Sequence, residues 1–133
     1  MSAEKVTYLD SSAIVKLAVR ETESSALRRH LQRRRPLVSS ALALVEVTRA
    51  LLPLGPAAVG RGDDVLARIE LVRISDRVLR AAAELQPPEL RSLDAIHLAS
   101  AKQFEGELRH VVSYDTRMIG GAHRLGMRTA SPT

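Results

Sequence analysis

A chain of 133 residues without a single cysteine excludes disulfides and thiolate metal sites. Its 45% hydrophobic content suits one domain over residues 1–133 with its own core, and no apolar run approaches a membrane span or a signal-peptide core, so a cytoplasmic location is expected. Twenty Lys and Arg against fifteen Asp and Glu give a net charge of +5, which suits a polyanionic partner and equally a basic, well-solvated surface; with Tyr8, Phe104 and Tyr114 as the whole aromatic set, stacking of single-stranded bases is excluded as the main grip, and any nucleic acid should be held through Arg and phosphate.

Val6 to Leu9 read as a short buried strand, and Asp10 stands where it ends. Ser11 and Ser12 start a helix whose apolar residues Ala13, Ile14, Leu17 and Ala18 recur at helical spacing. Asp10 is therefore an apt helix cap, and also an acid at the carboxyl edge of a strand, where open α/β sheets bind ligands. Glu23 to Arg34 form a surface helix with Ala26, Leu27, His30 and Leu31 on one stripe. Its basic end, with the Arg33-Arg34-Arg35 run, complements the helix dipole and could equally meet phosphate. Pro36 ends that helix, and Leu37 to Ser39 make a second strand. The next helix, Ser40 to Leu52, is apolar on most of its circumference and is expected to be well buried. Glu46 is its exception, one turn from Leu42, Ala43, Arg49 and Ala50. A carboxylate there must be paired, hydrogen-bonded or bound to a cation: Arg49 is the ordinary partner, and the small neighbours leave room for a metal.

Pro53, Gly55, Pro56, Gly60 and Gly62 mark a loop, and Asp63 and Asp64 then cap or start a helix ending near Arg68. The Arg61-Gly62-Asp63 triplet resembles a cell-adhesion signal but has no secretion features beside it. Leu71 to Ile74 make a third strand; Ser75 caps a helix from Asp76 to about Leu85, which Pro87 and Pro88 stop. Arg91 to Ala101 open another buried helix, capped by Ser92, with Asp94 in its first turn and His97 one turn on. An acid in that turn is favoured by the dipole whatever its function, and His97 reads as a core residue rather than a ligand. The strand His110 to Tyr114 delivers Asp115 as the first strand delivers Asp10; Thr116 to Arg124 form a short helix, and Gly126 to Thr129 a candidate edge strand.

Strand and helix alternate, as a central parallel sheet with helices on both faces requires, so the expected class is three-layer α/β/α. The chain thus offers four carboxylates, Asp10, Glu46, Asp94 and Asp115, each with a structural alternative. Acids meeting at one point would repel and raise one another's pKa values unless cations neutralised them. An all-oxygen set without Cys suits Mg²⁺ or Mn²⁺, and such ions can activate water and stabilise a leaving oxygen in phosphodiester displacement. Beside a basic surface, that points to a nuclease.

Four stretches carry a family resemblance: Tyr8-Leu9-Asp10-Ser11-Ser12-Ala13, Val45-Glu46-Val47, Leu93-Asp94-Ala95-Ile96-His97-Leu98-Ala99 and Val112-Ser113-Tyr114-Asp115. In this order and spacing they resemble the motifs of PIN-domain nucleases, and most closely the VapC toxins of type II toxin–antitoxin modules, over nearly the whole chain. The resemblance implies a PIN-like fold and Mg²⁺-dependent endonucleolytic cleavage of RNA, with Mn²⁺ as a possible substitute. It implies restraint by a cognate VapB-type antitoxin, a homodimer, larger toxin–antitoxin complexes, and promoter DNA reached only through the antitoxin. Asp10, Glu46, Asp94 and Asp115 match the family acids that hold the metal and its water; Ser12 matches a hydroxyl beside the first acid, and Ser113 stands where the family often has threonine. His97 belongs to the third motif as support for the helix of Asp94. A non-catalytic RNA-binding or regulatory domain and a housekeeping RNA-processing nuclease are the alternatives. A receiver domain lacks its acidic pair here, and an aspartate-based phosphatase lacks its second acid, because Ser11 and Ser12 follow Asp10.

Overall fold

The computed structural model describes residues 5–133; the first four residues of the domain expected over 1–133 lie outside the described residues. Five strands, β1 (Val6–Leu9), β2 (Leu37–Ser40), β3 (Glu70–Val72), β4 (Leu108–Val112) and β5 (Thr129–Ala130), form one sheet in the order β3-β2-β1-β4-β5. Every neighbouring pair is parallel. The connections carry α1 (Ser11–Ala18), α2 (Ser24–Gln32), α3 (Leu42–Leu51), a 3-10 turn (Leu52–Leu54), α4 (Pro56–Leu66), α5 (Asp76–Glu84), α6 (Ser92–Lys102) and α7 (Thr116–Arg124). The three-layer α/β/α class expected from the sequence is the one observed.

Period-two alternation in the central strands builds the layers. Leu9 and Val112 face a core completed by Ile14, Leu27, Val47 and Leu51 from α1 to α3, with Ala58 and Leu66 of α4. Tyr8, Val38 and Val111 face the opposite side, where Ala101 of α6 meets them. Helices α5 and α7 then pack against α6 through Val78 and Ala99, and through Leu98 and Met118. The chain steps from β1 outward to β2 and β3, then crosses back to lay β4 along the other side of β1. The direction of winding thus reverses between β1 and β4, and at such a point the connections leave a crevice at the carboxyl ends of the strands. Asp10 lies at that crevice, its backbone N–H donating to the Val112 carbonyl at 3.2 Å.

Several expectations are corrected by tertiary packing. Most of the loop expected between Pro53 and Gly62 is helical: Pro56 occupies the first turn of α4, where its missing N–H costs nothing, and Gly60 and Gly62 lie inside the helix. A Cβ on Gly62 would run into the Leu51 side chain and meet Val47 at 3.5 Å, so the absent side chain lets α4 sit close on α3. Asp63 and Asp64 consequently fall near the end of α4 rather than at a start. Helix α3 buries only the stripe Ala43, Val47 and Leu51. Leu44 is 50% exposed and Val45 61%, because nothing among the described residues covers that face. The cap position of α6 is Arg91, with no side-chain bond, and Ser92 is already helical. The edge strand begins three residues later than expected, since Gly126 takes a positive φ of 77° in the turn after α7.

Part of the Arg33-Arg34-Arg35 run has a structural task. The Arg34 guanidinium donates to the His30 carbonyl at 2.8 Å, serving the carboxyl end of α2, and the Arg34 carbonyl accepts from the Thr7 hydroxyl at 2.6 Å. Arg33 and Arg35 are exposed. Among the described residues every buried side-chain nitrogen or oxygen has a hydrogen-bond partner, and no helix is long and apolar enough to cross a membrane.

Candidate active site

β1 and β4 end side by side, so the residues that follow them share one edge. Asp10 caps α1: its Oδ1 accepts from the Ala13 backbone N–H at 3.1 Å and from the Ser12 hydroxyl at 2.6 Å. Its Oδ2 accepts from the Ser113 hydroxyl at 2.5 Å. Both hydroxyls singled out in the sequence therefore lie against this one carboxylate. They also stitch the edge together, Ser12 Oγ accepting from the Tyr114 N–H and Ser113 Oγ from the Asp115 N–H, each at 3.0 Å. Asp10 is only 3% exposed, and among the described residues no Lys, Arg or His forms an ion pair with it. Burial pushes its carboxyl above the usual range, against the pull of the Ser113, Ser12 and Ala13 donors.

Asp115 caps α7 through the Arg117 N–H at 2.9 Å, and its other oxygen lies 3.7 Å from a terminal nitrogen of Arg91. The Arg91 Nε donates to Asp94 Oδ2 at 3.1 Å, so one guanidinium spans Asp94 and Asp115. Asp94 is buried in the first turn of α6, whereas the Arg91 side chain is 55% exposed. Glu46 reaches the edge from α3. Its Oε1 accepts from the Ser11 hydroxyl at 2.7 Å and lies 2.6 Å from His97 Nε2. On the far side of the same imidazole, Nδ1 is 2.7 Å from the Tyr8 hydroxyl, which satisfies both ring nitrogens of a buried histidine. The partner of Glu46 is thus His97, not Arg49, and His97 does more than support the helix of Asp94. Burial pushes the Glu46 carboxyl up, but the His97 and Ser11 hydrogen bonds together with the His97 charge carry it below its ordinary value.

The family model described as the PIN domain matches residues 7–122. Ribonuclease VapC46 of Mycobacterium tuberculosis is 55% identical over 126 residues, covering 95% of this chain and 97% of the relative. The chain belongs to the VapC family of PIN-domain ribonucleases. Ribonuclease VapC35 of the same species is 42% identical over 131 residues, with 94% and 96% covered. Two solved structures share the fold: a toxin–antitoxin complex from Klebsiella pneumoniae, with a TM-score of 0.73, 19% identity and 96% and 98% covered, and the sarcin–ricin loop cleaving toxin VapC20 of Mycobacterium tuberculosis, at 0.74, 15%, and 95% and 99%.

In this VapC-family chain the four acids reach one edge of the sheet without forming a ready cage. Among the described residues no three His, Asp or Glu side chains are grouped closely enough to hold an ion between them as they stand. The hydrogen bonds give the reason. Hydroxyls occupy Asp10, His97 and Ser11 hold Glu46, and Arg91 lies between Asp94 and Asp115. The donor chemistry still fits a hard divalent cation: the groups are carboxylates, Asp10 is buried and among the described residues forms no ion pair, and Arg91 is exposed enough to be displaced from the other two acids. Three residues at the site escaped the sequence reading as site residues. Arg91 stands three residues before Asp94 on a helix, a local signal that was present. Ser11 read only as a helix starter and Tyr8 only as a core residue, because the partners of both come from distant elements.

Proposed function

We propose that this chain is a metal-dependent endoribonuclease and the toxin of a toxin–antitoxin pair, a single domain over residues 1–133 acting in the cytoplasm. The reading is carried by one observation: Asp10, a buried carboxylate without an ionic partner, lies at the switch point of the sheet with Asp94, Asp115 and Glu46 along the same edge. Asp10 and Asp94 would hold Mg²⁺, or Mn²⁺ in its place, with Glu46 and Asp115 completing the set directly or through water. A bound cation of this kind supplies a nucleophilic water near neutral pH and charge stabilisation at the phosphoryl oxygens. The protein's part is positional. Ser12 and Ser113 fix the Asp10 carboxylate, and His97 and Ser11 keep Glu46 ionised and aimed at the edge. One of these carboxylates orients or deprotonates the attacking water, which displaces the 3′ oxygen and leaves 5′-phosphate and 3′-hydroxyl ends.

The ribonuclease name of a relative at 55% identity supports the reaction class, and membership of the VapC family, with a toxin–antitoxin complex among the structures of the same fold, supports an antitoxin partner, which we take to be of the VapB type. Promoter DNA would be reached only through that antitoxin, in a larger complex. A homodimer belongs to the same reading, with the exposed apolar residues Leu44 and Val45 on α3, Leu79 on α5 and Leu93 on α6 as candidates for its seam. The test is cleavage of total RNA by the purified chain in Mg²⁺, with the ends mapped. The reading expects 5′-phosphate products that vanish with EDTA and with Asp94→Asn. Cleavage that persists under either condition, or no cleavage in Mg²⁺, overturns it.

A further inference from the structure

Beside the acid edge, α7, the start of α6 and the segment before it line an open cavity of about 370 Å³ whose walls include Arg91, Asp94, Thr116, Arg117, Gly120 and Arg124. We propose that this cavity is a phosphate subsite, holding the RNA backbone one or more nucleotides away from the scissile bond. The inference rests on the nuclease reading and extends it to substrate binding.

The sequence of α7 builds the site. Arg117 and Arg124 are seven residues apart, two helical turns, so both side chains leave the same face. Gly120 and Gly121 fall between them on that face and do different work. A Cβ at Gly121 would approach Leu98 to 2.8 Å and Leu90 to 3.1 Å, so this glycine sets the close packing of α7 against α6 and the segment before it. A Cβ at Gly120 would meet nothing within 4 Å, so here the bare backbone forms open wall between two guanidinium groups. Among the described residues neither Arg117 nor Arg124 forms an ion pair. Both are exposed, although Glu89 also lines the cavity.

Arg91 connects the cavity to the chemistry. It lines the cavity while bridging Asp94 and Asp115 at 3.1 and 3.7 Å. A phosphate seated among Arg91, Arg117 and Arg124 therefore lies next to the acids, as a neighbouring phosphate of one strand must. The few aromatics of the chain agree, since binding has to come through guanidinium and phosphate rather than stacked bases. A second basic groove, between α2 and α4, contains Arg35 and Arg68 but none of the four acids, and serves as an internal control.

The experiment measures binding of a fluorescein-labelled single-stranded RNA 12-mer of mixed sequence to the full chain in EDTA, as a function of KCl. Losing two phosphate contacts should lower the slope of log K against log salt by about 1.4, at ~0.7 per contact for a single strand. Arg117→Ala with Arg124→Ala is expected to show that loss with an unchanged circular dichroism spectrum, and Arg35→Ala with Arg68→Ala is expected to keep the wild-type slope. An unchanged slope in the first pair, or an equal loss in the second, overturns the subsite. If wild type cleaves RNA in Mg²⁺ while the first pair keeps its slope, the subsite fails and the nuclease reading stands. If wild type neither binds nor cleaves, both fail.

Discussion

Asp10→Asn is expected to reduce RNA cleavage by roughly 10³-fold or more, the scale on which an essential acid–base group acts, while leaving the protein at least as stable as wild type. The two outcomes share a cause. Asp10 is a buried carboxylate whose three hydrogen-bond donors do not compensate the loss of water, so its pKa is raised in the fold. A carboxyl with a raised folded pKa opposes folding at neutral pH, and the penalty disappears as pH falls through that raised value toward the ordinary one. Asparagine carries no charge to desolvate and is itself a good cap for α1. Thermal unfolding of wild type should therefore shift upward on mild acidification through this group, and the Asp10→Asn variant should lack that component. A variant that unfolds well below wild type at neutral pH would show that the carboxylate is mainly structural.

The second large effect is expected at His97. Replacement by Phe should lower cleavage 10- to 100-fold, the usual cost of losing a residue that orients a metal-binding group. It should also lower stability by about 1–3 kcal/mol, because the buried Tyr8 hydroxyl loses its imidazole partner. His97 acts here as a positioning residue, joining Tyr8 at 2.7 Å on one nitrogen to Glu46 at 2.6 Å on the other. A role in orienting Glu46 predicts that His97→Gln, which still offers an N–H to that carboxylate, recovers much of the cleavage and lowers the metal concentration it needs. If His97→Phe loses stability but cleaves as wild type does, the imidazole only fills the core.

Locally encoded features were legible in the sequence. The strand Val6–Leu9, the cap at Ser75 and the helix Thr116–Arg124 follow from hydrophobic runs, a short hydroxyl side chain and a glycine turn, all within a few residues of one another. Of the two glycines inside α4, Gly62 was misleading because helix propensity there yields to close packing on Leu51, a contact no local pattern contains, while Gly60 faces open space. Helix α3 misled in the other direction: an apolar circumference predicts burial, but the described residues cover only one stripe of it, and Leu44 and Val45 face outward. The acids themselves could be picked out, since Asp10 and Asp115 each follow a strand. Their linkage could not. Glu46 meets His97 across 51 positions, and Arg91 reaches Asp115 only because α6 and α7 begin side by side at the acid edge.

If a divalent cation is held at this edge, it takes the place of Arg91 as the positive charge between Asp94 and Asp115. Titration of the folded, RNA-free chain with Mn²⁺, followed by isothermal calorimetry, tests it directly. The account predicts binding in wild type, tighter binding in Arg91→Ala, where the competing guanidinium is gone, and loss of binding in Asp10→Asn and Asp94→Asn. Binding that is unchanged by either acid replacement, or weakened by removal of Arg91, would contradict it.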